Sequence, residues 1–148
     1  MGVFKEYLGE LIGTFILVFI GCGSVAVAVL FGTLESLLEV AIVFGSGVTI
    51  AILAVKSVCP AHLNPAVSIA MYVAGVLGLR KLGLYVFSQL LGAILGGLAL
   101  MPLLNSSIAI YESENEIIRG SEDSYQSAQM FGEFFPNPGF EDELTVSV

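Results

Sequence analysis

The chain has 148 residues, of which 56% are hydrophobic and only 12% are charged. Soluble domains carry about 25% charged residues, and the mean hydropathy here is +0.92, so a soluble enzyme domain and a disordered protein are excluded. With 5 basic against 13 acidic residues, no basic patch exists for a nucleic acid. Most of the acids follow Tyr111. We therefore predict an apolar membrane domain at residues 1–104 and a polar acidic outer segment at residues 105–148.

Three long apolar stretches predict three transmembrane helices, at residues 8–31, 37–55 and 82–104. As a helix, the first stretch would be roughly 36 Å long, enough to cross a hydrocarbon core of about 30 Å. Lipid leaves helices and closed barrels as the spanning structures, and these stretches are too long and continuous for barrel strands. The sequence therefore predicts an all-α membrane protein.

A fourth apolar stretch is too short to cross the bilayer. It begins at Pro65, after a loop rich in helix-breaking residues. Residues 65–74 would form about 15 Å of helix, which is half of the membrane thickness. Apolar runs of this length indicate a re-entrant segment, which enters and leaves on the same side.

The basic residues agree with one re-entrant segment and give an orientation. If three helices span the bilayer and the short one does not, four of the five basic residues face the same side: Lys5, Lys56, Arg80 and Lys81. By the positive-inside rule that side is the cytoplasm. We therefore expect a multi-pass protein of the cell membrane, with a cytoplasmic N-terminus and an outward acidic tail.

The loop before the short helix carries the residues that suggest a function. Asn64 is a favoured N-cap residue and Pro65 is favoured in the first helical turn, so a helix begins here with its electropositive end near the bilayer midplane. Irregular backbone at that depth must line a water-filled cavity or be buried in protein. Loop carbonyls would then form a ladder of hydrogen-bond acceptors for a solute, at Pro60, Ala61, His62 and Leu63. The positive helix end would repel cations and protons.

Small residues recur at a spacing of four along two of the predicted spans. Gly9 and Gly13 lie in the first stretch, and Ser88, Gly92 and Gly96 lie in the third. Such stripes let membrane helices approach each other closely. We therefore predict close helix contacts along these stripes.

The segment Asn64-Pro65-Ala66 resembles the first Asn-Pro-Ala box of the major intrinsic protein family, the aquaporins and glycerol facilitators. Glu10 matches the buried Glu of the family's first helix, and Gln89 matches the Gln motif of its third helix. The resemblance implies that Glu10 accepts hydrogen bonds from loop N–H groups and that Gln89 is an interior hydrogen-bond partner. A proton relay at Glu10 is the open alternative, because acids inside a membrane are often functional.

Phe44 lies twenty residues before Asn64, as the family's selectivity-filter aromatic does, so the resemblance implies that its ring narrows a pore. Val48 and Ile52 follow one and two turns later and would continue an apolar pore wall. Residues 134–139 are similar to an outer loop that is typical of glycerol facilitators. Cys59 and Pro60 depart from the usual Ser-Gly, which changes the expected path of the loop.

The resemblance implies a passive channel for water or small neutral solutes such as glycerol, without a metal or another cofactor, and a homo-oligomer, a tetramer in the family. Such proteins consist of two inverted halves, and this sequence contains one Asn-Pro-Ala box. We therefore expect one half of an inverted-repeat channel. The alternatives are a non-conducting fragment or half-protein that needs a complementary half, and a proton-coupled transporter that uses Glu10.

Overall fold

The computed structural model describes residues 3–34 and 36–132. Three helices are long and apolar enough to cross a membrane, and a shorter helix lies between the second and third of them in the chain. These helices are α1 (Val3–Phe31), α2 (Leu37–Val55), α3 (Pro65–Val73) and α4 (Leu79–Glu114). The predicted all-α membrane fold with one short helix is confirmed, and α1 begins at Val3 rather than at residue 8.

The turn between α1 and α2 has local causes. Gly32 follows the end of α1 with a φ of 60°, a left-handed conformation that glycine adopts without steric cost. Ser36 then caps α2, because its side chain accepts from the Glu39 amide at 3.3 Å and the Glu39 carboxylate accepts from the Ser36 amide at 3.1 Å. This reciprocal pair is a capping box, and it sets the predicted start of α2.

The small residues of α4 lie against the backbone of α1. A Cβ atom at Gly96 would lie 2.9 Å from the Phe15 carbonyl oxygen, and one at Gly92 would meet the Leu11 carbonyl oxygen at a still shorter distance. Both glycines are buried. The predicted close contact along this stripe is confirmed, and it brings the polar residues of α1 and α4 within hydrogen-bonding reach.

The glycines of α1 make room for the loop that precedes α3. A Cβ atom at Gly9 would lie 2.7 Å from Cys59 Sγ, and one at Gly13 would collide with the Leu63 side chain. The loop and α2 together form a buried apolar cluster of Ala51, Val55, Cys59 and Leu63. Cys59 thus packs as a small apolar residue, and the loop is seated directly on α1.

The third span is longer than the sequence predicts. The expected end at residue 104 is wrong, because α4 continues to Glu114 and its 36 residues would be about 54 Å long. Residues 105–114 contain neither glycine nor proline, and Ile108 and Glu112, which share one helix face, are buried. Burial of this face stabilises a helix that polar composition alone does not predict.

The segment after α4 folds back instead of running as an irregular tail. It contains a short helix, α5 (Tyr125–Ala128), between two 3-10 turns, in a part of the chain that the sequence predicted only as a polar acidic segment. Met130 is 1% exposed and packs in a cluster with Ala26 and Ile108. Apolar contacts with the end of α1 thus hold this segment. The predicted outer-loop resemblance at residues 134–139 lies outside the described residues.

A polar group, here called the outer cluster, ties the same segment to α4. It consists of Glu112, Arg119 and Ser127. The Glu112 carboxylate accepts from Arg119 Nη2 at 2.7 Å, from Arg119 Nε at 3.2 Å and from the Ser127 hydroxyl at 2.8 Å. The hydrogen bond to the Glu112 carboxylate raises the pKa of Arg119 above its ordinary value, as expected for the partner of a carboxylate.

Candidate functional site

Asn64 starts α3 in the manner that its sequence predicts. Its backbone is extended, with φ −153° and ψ 128°, and Pro65 occupies the first helical turn. The side-chain oxygen Oδ1 accepts from the Ala66 amide at 2.8 Å, which satisfies one of the free N–H groups of the helix end. Because Oδ1 faces the helix, the two N–H donors of Nδ2 are left for another partner.

Glu10 of α1 holds the loop through its backbone. One carboxylate oxygen, Oε1, accepts from the His62 amide at 2.9 Å, and the other, Oε2, accepts from the Leu63 amide at 2.8 Å. Gln89 of α4 donates to Oε2 at 2.9 Å. Glu10 is completely buried, and a buried carboxylate needs such donors. Its contacts therefore connect α1, α4 and the loop in one network.

The contacts of Glu10 also orient two loop carbonyls. In a trans peptide the C=O of one residue points opposite to the N–H of the next. Because the His62 and Leu63 amides point at Glu10, the Ala61 and His62 carbonyls point away from it. Ala61 and Leu63 have φ values of 55° and 52°, which non-glycine residues rarely adopt. The loop therefore keeps a strained path, while the outward directions of the Pro60 and Leu63 carbonyls stay predictions.

Ser68 is a site residue that the sequence analysis missed. It lies on α3, is completely buried, and its hydroxyl oxygen lies 2.9 Å from Gln89 Nε2 and 3.1 Å from His62 Nδ1. The signal was available, since Ser68 follows Asn64 by four residues in a helix that is otherwise apolar apart from the Tyr72 hydroxyl. It therefore shares a helix face with the N-cap residue and points back to the loop.

A second polar group, here called the inner cluster, joins α1 to α4 and was also missed. It consists of Glu6, Lys81 and Tyr85. The Glu6 carboxylate accepts from Lys81 Nζ at 2.8 Å and from the Tyr85 hydroxyl at 2.9 Å. Residues 81, 85 and 89 of α4 face residues 6 and 10 of α1 at a spacing of four, so one helix face of each could have been paired from the sequence.

The predicted aromatic of α2 lies against α1. The Phe44 ring is half-buried and takes the space beside Gly21, where a Cβ atom would lie 2.5 Å from Phe44 Cε2. Val48 is half-buried one turn later, and Ile52 is 38% exposed. These three residues share a face beside the buried stripe of α2. The role of Phe44 at a constriction stays a prediction.

Comparisons with known proteins agree on one family. Residues 1–136 match the family described as major intrinsic protein. The chain is 39% identical to a glycerol uptake facilitator protein of Pseudomonas aeruginosa, over 92% of this chain and 48% of the relative. It is 32% identical to the propanediol uptake facilitator PduF of Citrobacter freundii, over 87% of this chain and 48% of the relative.

A solved structure gives the same result for the fold. The aquaglyceroporin from Plasmodium falciparum matches with a TM-score of 0.68 and 31% identity, over 80% of this chain and 47% of that chain. The present chain thus spans about half the length of the relatives that it matches. Its helices accordingly form half of an aquaporin fold, and the chain belongs to the major intrinsic protein family.

Proposed function

We propose that this chain forms one half of a passive membrane channel for glycerol and comparable small uncharged solutes, and that water also passes. One observation carries the proposal. Glu10 accepts hydrogen bonds from the His62 and Leu63 amides. The Ala61 and His62 carbonyls therefore face the opposite side, immediately before the capped start of α3. This is the arrangement expected of backbone that lines a solute path within a membrane.

Each polar group at the loop has a separate task in permeation. Hydroxyl groups of the solute donate to the Ala61 and His62 carbonyls, and its oxygens accept from Nδ2 of Asn64. The partial positive charge at the start of α3 repels cations. Phe44 and Val48 supply an apolar wall that narrows the path. Transport is downhill, since this scheme needs neither a coupling ion nor a chemical step.

The choice of solute is supported by the relatives. The two bacterial relatives are named as glycerol and propanediol uptake facilitators, and both solutes are small neutral alcohols. A path with backbone acceptors on one side and an apolar wall on the other suits such molecules, because they have hydroxyl groups and a carbon face. We propose glycerol as the first solute to test.

The completed channel is proposed to lie in the cell membrane with its N-terminus in the cytoplasm. The basic residues next to the spans support this orientation through the positive-inside rule, and Lys81 of the inner cluster lies at the same end as Lys5. A homo-oligomer, a tetramer by family resemblance, is proposed for the completed channel. Cross-linking in native membranes measures that state directly.

Two alternatives differ in what the chain does by itself. A non-conducting half is favoured by the open side of α3, where Val73 is 79% and Ile69 is 49% exposed. A solute path along these residues stays open to lipid until another half covers them. Proton-coupled transport through Glu10 is disfavoured, because its carboxylate already accepts three hydrogen bonds.

Glycerol-driven swelling of liposomes tests the proposal. Three preparations are compared: this chain, the portion of the Pseudomonas aeruginosa relative that the chain does not cover, and both together, with assembly checked by co-purification. We expect fast swelling from the assembled pair and none from either part. Asn64→Asp in this chain keeps the Oδ1 cap but replaces the donor group by a negative charge, so swelling should stop.

Swelling by the chain alone would contradict the need for a second half and support a complete channel. An assembled pair that does not admit glycerol would contradict the channel. Swelling that follows a proton gradient and stops without one would favour the coupled transporter. The exposed Glu114→Gln variant, outside the site, serves as the matched control and should leave swelling unchanged.

A further inference from the structure

The orientation of the Gln89 side chain is fixed by its neighbour. Nε2 lies 2.9 Å from Glu10 Oε2 and 2.9 Å from Ser68 Oγ. The opposite orientation of the amide would place its oxygen against the Glu10 carboxylate, where both atoms are acceptors. Nε2 therefore uses its two hydrogens on Glu10 and Ser68. In its contact with Gln89, the Ser68 hydroxyl therefore accepts the hydrogen bond.

Among the described residues, the hydroxyl proton of Ser68 then has one acceptor within reach. Ser68 is completely buried, so its O–H requires a partner inside the protein. Its two side-chain contacts are Gln89 Nε2, which is a donor, and His62 Nδ1 at 3.1 Å. The hydroxyl must donate to Nδ1, which consequently carries no proton. In a neutral imidazole the proton is then on Nε2.

We infer that Ser68, oriented by Gln89, holds His62 as the Nε2–H tautomer, so that the outer edge of its ring is a hydrogen-bond donor without a lone pair. Within residues 3–34 and 36–132, Nε2 has no hydrogen-bond partner, and His62 is half-buried. Its donor is thus left for a molecule that reaches the loop. Ser68 and Gln89 are positioning residues, because they act through His62.

Tyr85 keeps the ring from turning over. Its ring meets the His62 ring edge to face, with centroids 5.4 Å apart and planes at 70°. Tyr85 is completely buried, and its hydroxyl is anchored on Glu6. A turned ring would move Nδ1 away from Ser68 and leave a buried hydroxyl without an acceptor. The inner cluster therefore supports the same tautomer from the other side.

For permeation, this inference rests on the proposed function. A donor edge beside Asn64 binds the oxygen of a neutral alcohol or water. The same edge offers no lone pair to a cation, which adds to the repulsion by the start of α3. The tautomer itself is a property of the folded chain, and it is measured without any transport.

Nitrogen NMR of the chain in lipid bilayers, with ¹⁵N-labelled histidine, tests the inference. His62 is the single histidine, so both ring signals belong to it. The spectra are recorded at pH 8. We expect one protonated nitrogen at Nε2 and one hydrogen-bonded, unprotonated nitrogen at Nδ1, without exchange averaging.

Variants separate the positioning role from general packing. Ser68→Ala should give the averaged ring signals of an unconstrained imidazole, whereas Ser68→Thr, which keeps the hydroxyl, should restore the single tautomer. Ser88→Ala, a buried serine of α4 outside this chain of hydrogen bonds, is the matched control and should change nothing. Gln89→Met provides a second loosening variant if Ser68→Ala does not fold.

A protonated Nδ1 in the unmodified chain would overturn the inference, as would averaged ring signals there. Unchanged ring signals in both Ser68→Ala and Gln89→Met would overturn the role of Ser68 and Gln89. If His62 is the Nε2–H tautomer but the assembled pair does not admit glycerol, the proposed function alone is overturned. The two proposals therefore fail in different measurements.

Discussion

Two carboxylates in this protein each accept three hydrogen bonds, yet they shape the chain at different ranges. Glu10 accepts hydrogen bonds from two backbone amides of a loop 52 and 53 residues away and from one side chain of α4. Glu112 accepts its three hydrogen bonds from the side chains of Arg119 and Ser127, 7 and 15 residues away. Glu10 thus fixes a long-range backbone path, whereas Glu112 closes a local fold.

The difference has a physical consequence for function. Backbone amides that point at Glu10 force the neighbouring carbonyls to point away, so one buried acid creates a row of outward acceptors. The side chains that point at Glu112 do not fix the direction of a peptide group, so they constrain the backbone of residues 115–131 less directly. The loop is therefore expected to tolerate little change, and the outer segment to tolerate more.

Removal of Glu10 should give the largest effect. Glu10→Ala leaves the His62 and Leu63 amides without their acceptor, at about 1–3 kcal/mol each. We expect a loss of several kcal/mol in the free energy of unfolding measured in bilayers. Glu112→Ala serves as the comparison and should cost clearly less. Equal losses in the two variants would contradict the distinction between the two acids.

The contact between α1 and α4 should give the next largest effect. Gly92→Ala places a methyl group against the Leu11 carbonyl oxygen, and overpacking of this kind typically costs about 1–3 kcal/mol. Gly97→Ala is the matched control on the same helix, because among the described residues no atom outside its own turns of helix lies within 4 Å of its Cβ position. A Gly92→Ala protein as stable as Gly97→Ala would show that the helices do not touch there.

Loss of the outer cluster should loosen the outer segment alone. Glu112→Ala removes the hydrogen bonds to Arg119 and Ser127, and a loss of about 1.4 kcal/mol would raise local opening about tenfold. Trypsin cleavage after Arg119 measures this opening. Glu114→Ala, at an exposed neighbour, should cleave at the original rate. Unchanged cleavage in Glu112→Ala would show that the outer cluster does not hold this segment.

The cap of α3 should give the smallest change in stability. Asn64→Ala removes the acceptor for the Ala66 amide and should cost roughly 0.5–1 kcal/mol. Asn64→Asp keeps that acceptor and should be nearly as stable as the unmodified chain, although it stops glycerol. Unfolding in bilayers measures both. A loss of stability in Asn64→Asp that matches Asn64→Ala would contradict a cap through Oδ1.

Much of the fold followed from sequence because its signals are local. Apolar stretches of bilayer length predicted the spans, and Asn64-Pro65 predicted the start of a short helix at its observed position. Small residues at a spacing of four predicted close helix contacts, and one such stripe lies where α4 contacts α1. Each signal depends on residues within one segment, which the sequence shows directly.

The remaining features depend on partners that are distant in the chain. Ser68 lies in an apolar helix, and its importance appears when Gln89 and His62 are placed beside it. The extension of α4 beyond residue 104 is stabilised by Met130 and Ser127, which fold back from later in the chain. Polar composition suggested an irregular segment, but tertiary contacts decided otherwise.

The proposed channel requires that the His62 carbonyl faces the solute path because Glu10 holds the amides behind it. Since His62 is the single histidine, a chain with ¹³C-labelled histidine carbonyl gives one signal in solid-state NMR. In the assembled pair we predict magnetisation transfer to this carbon from water and from added glycerol. Transfer from lipid acyl chains, with none from water or glycerol, would contradict the account.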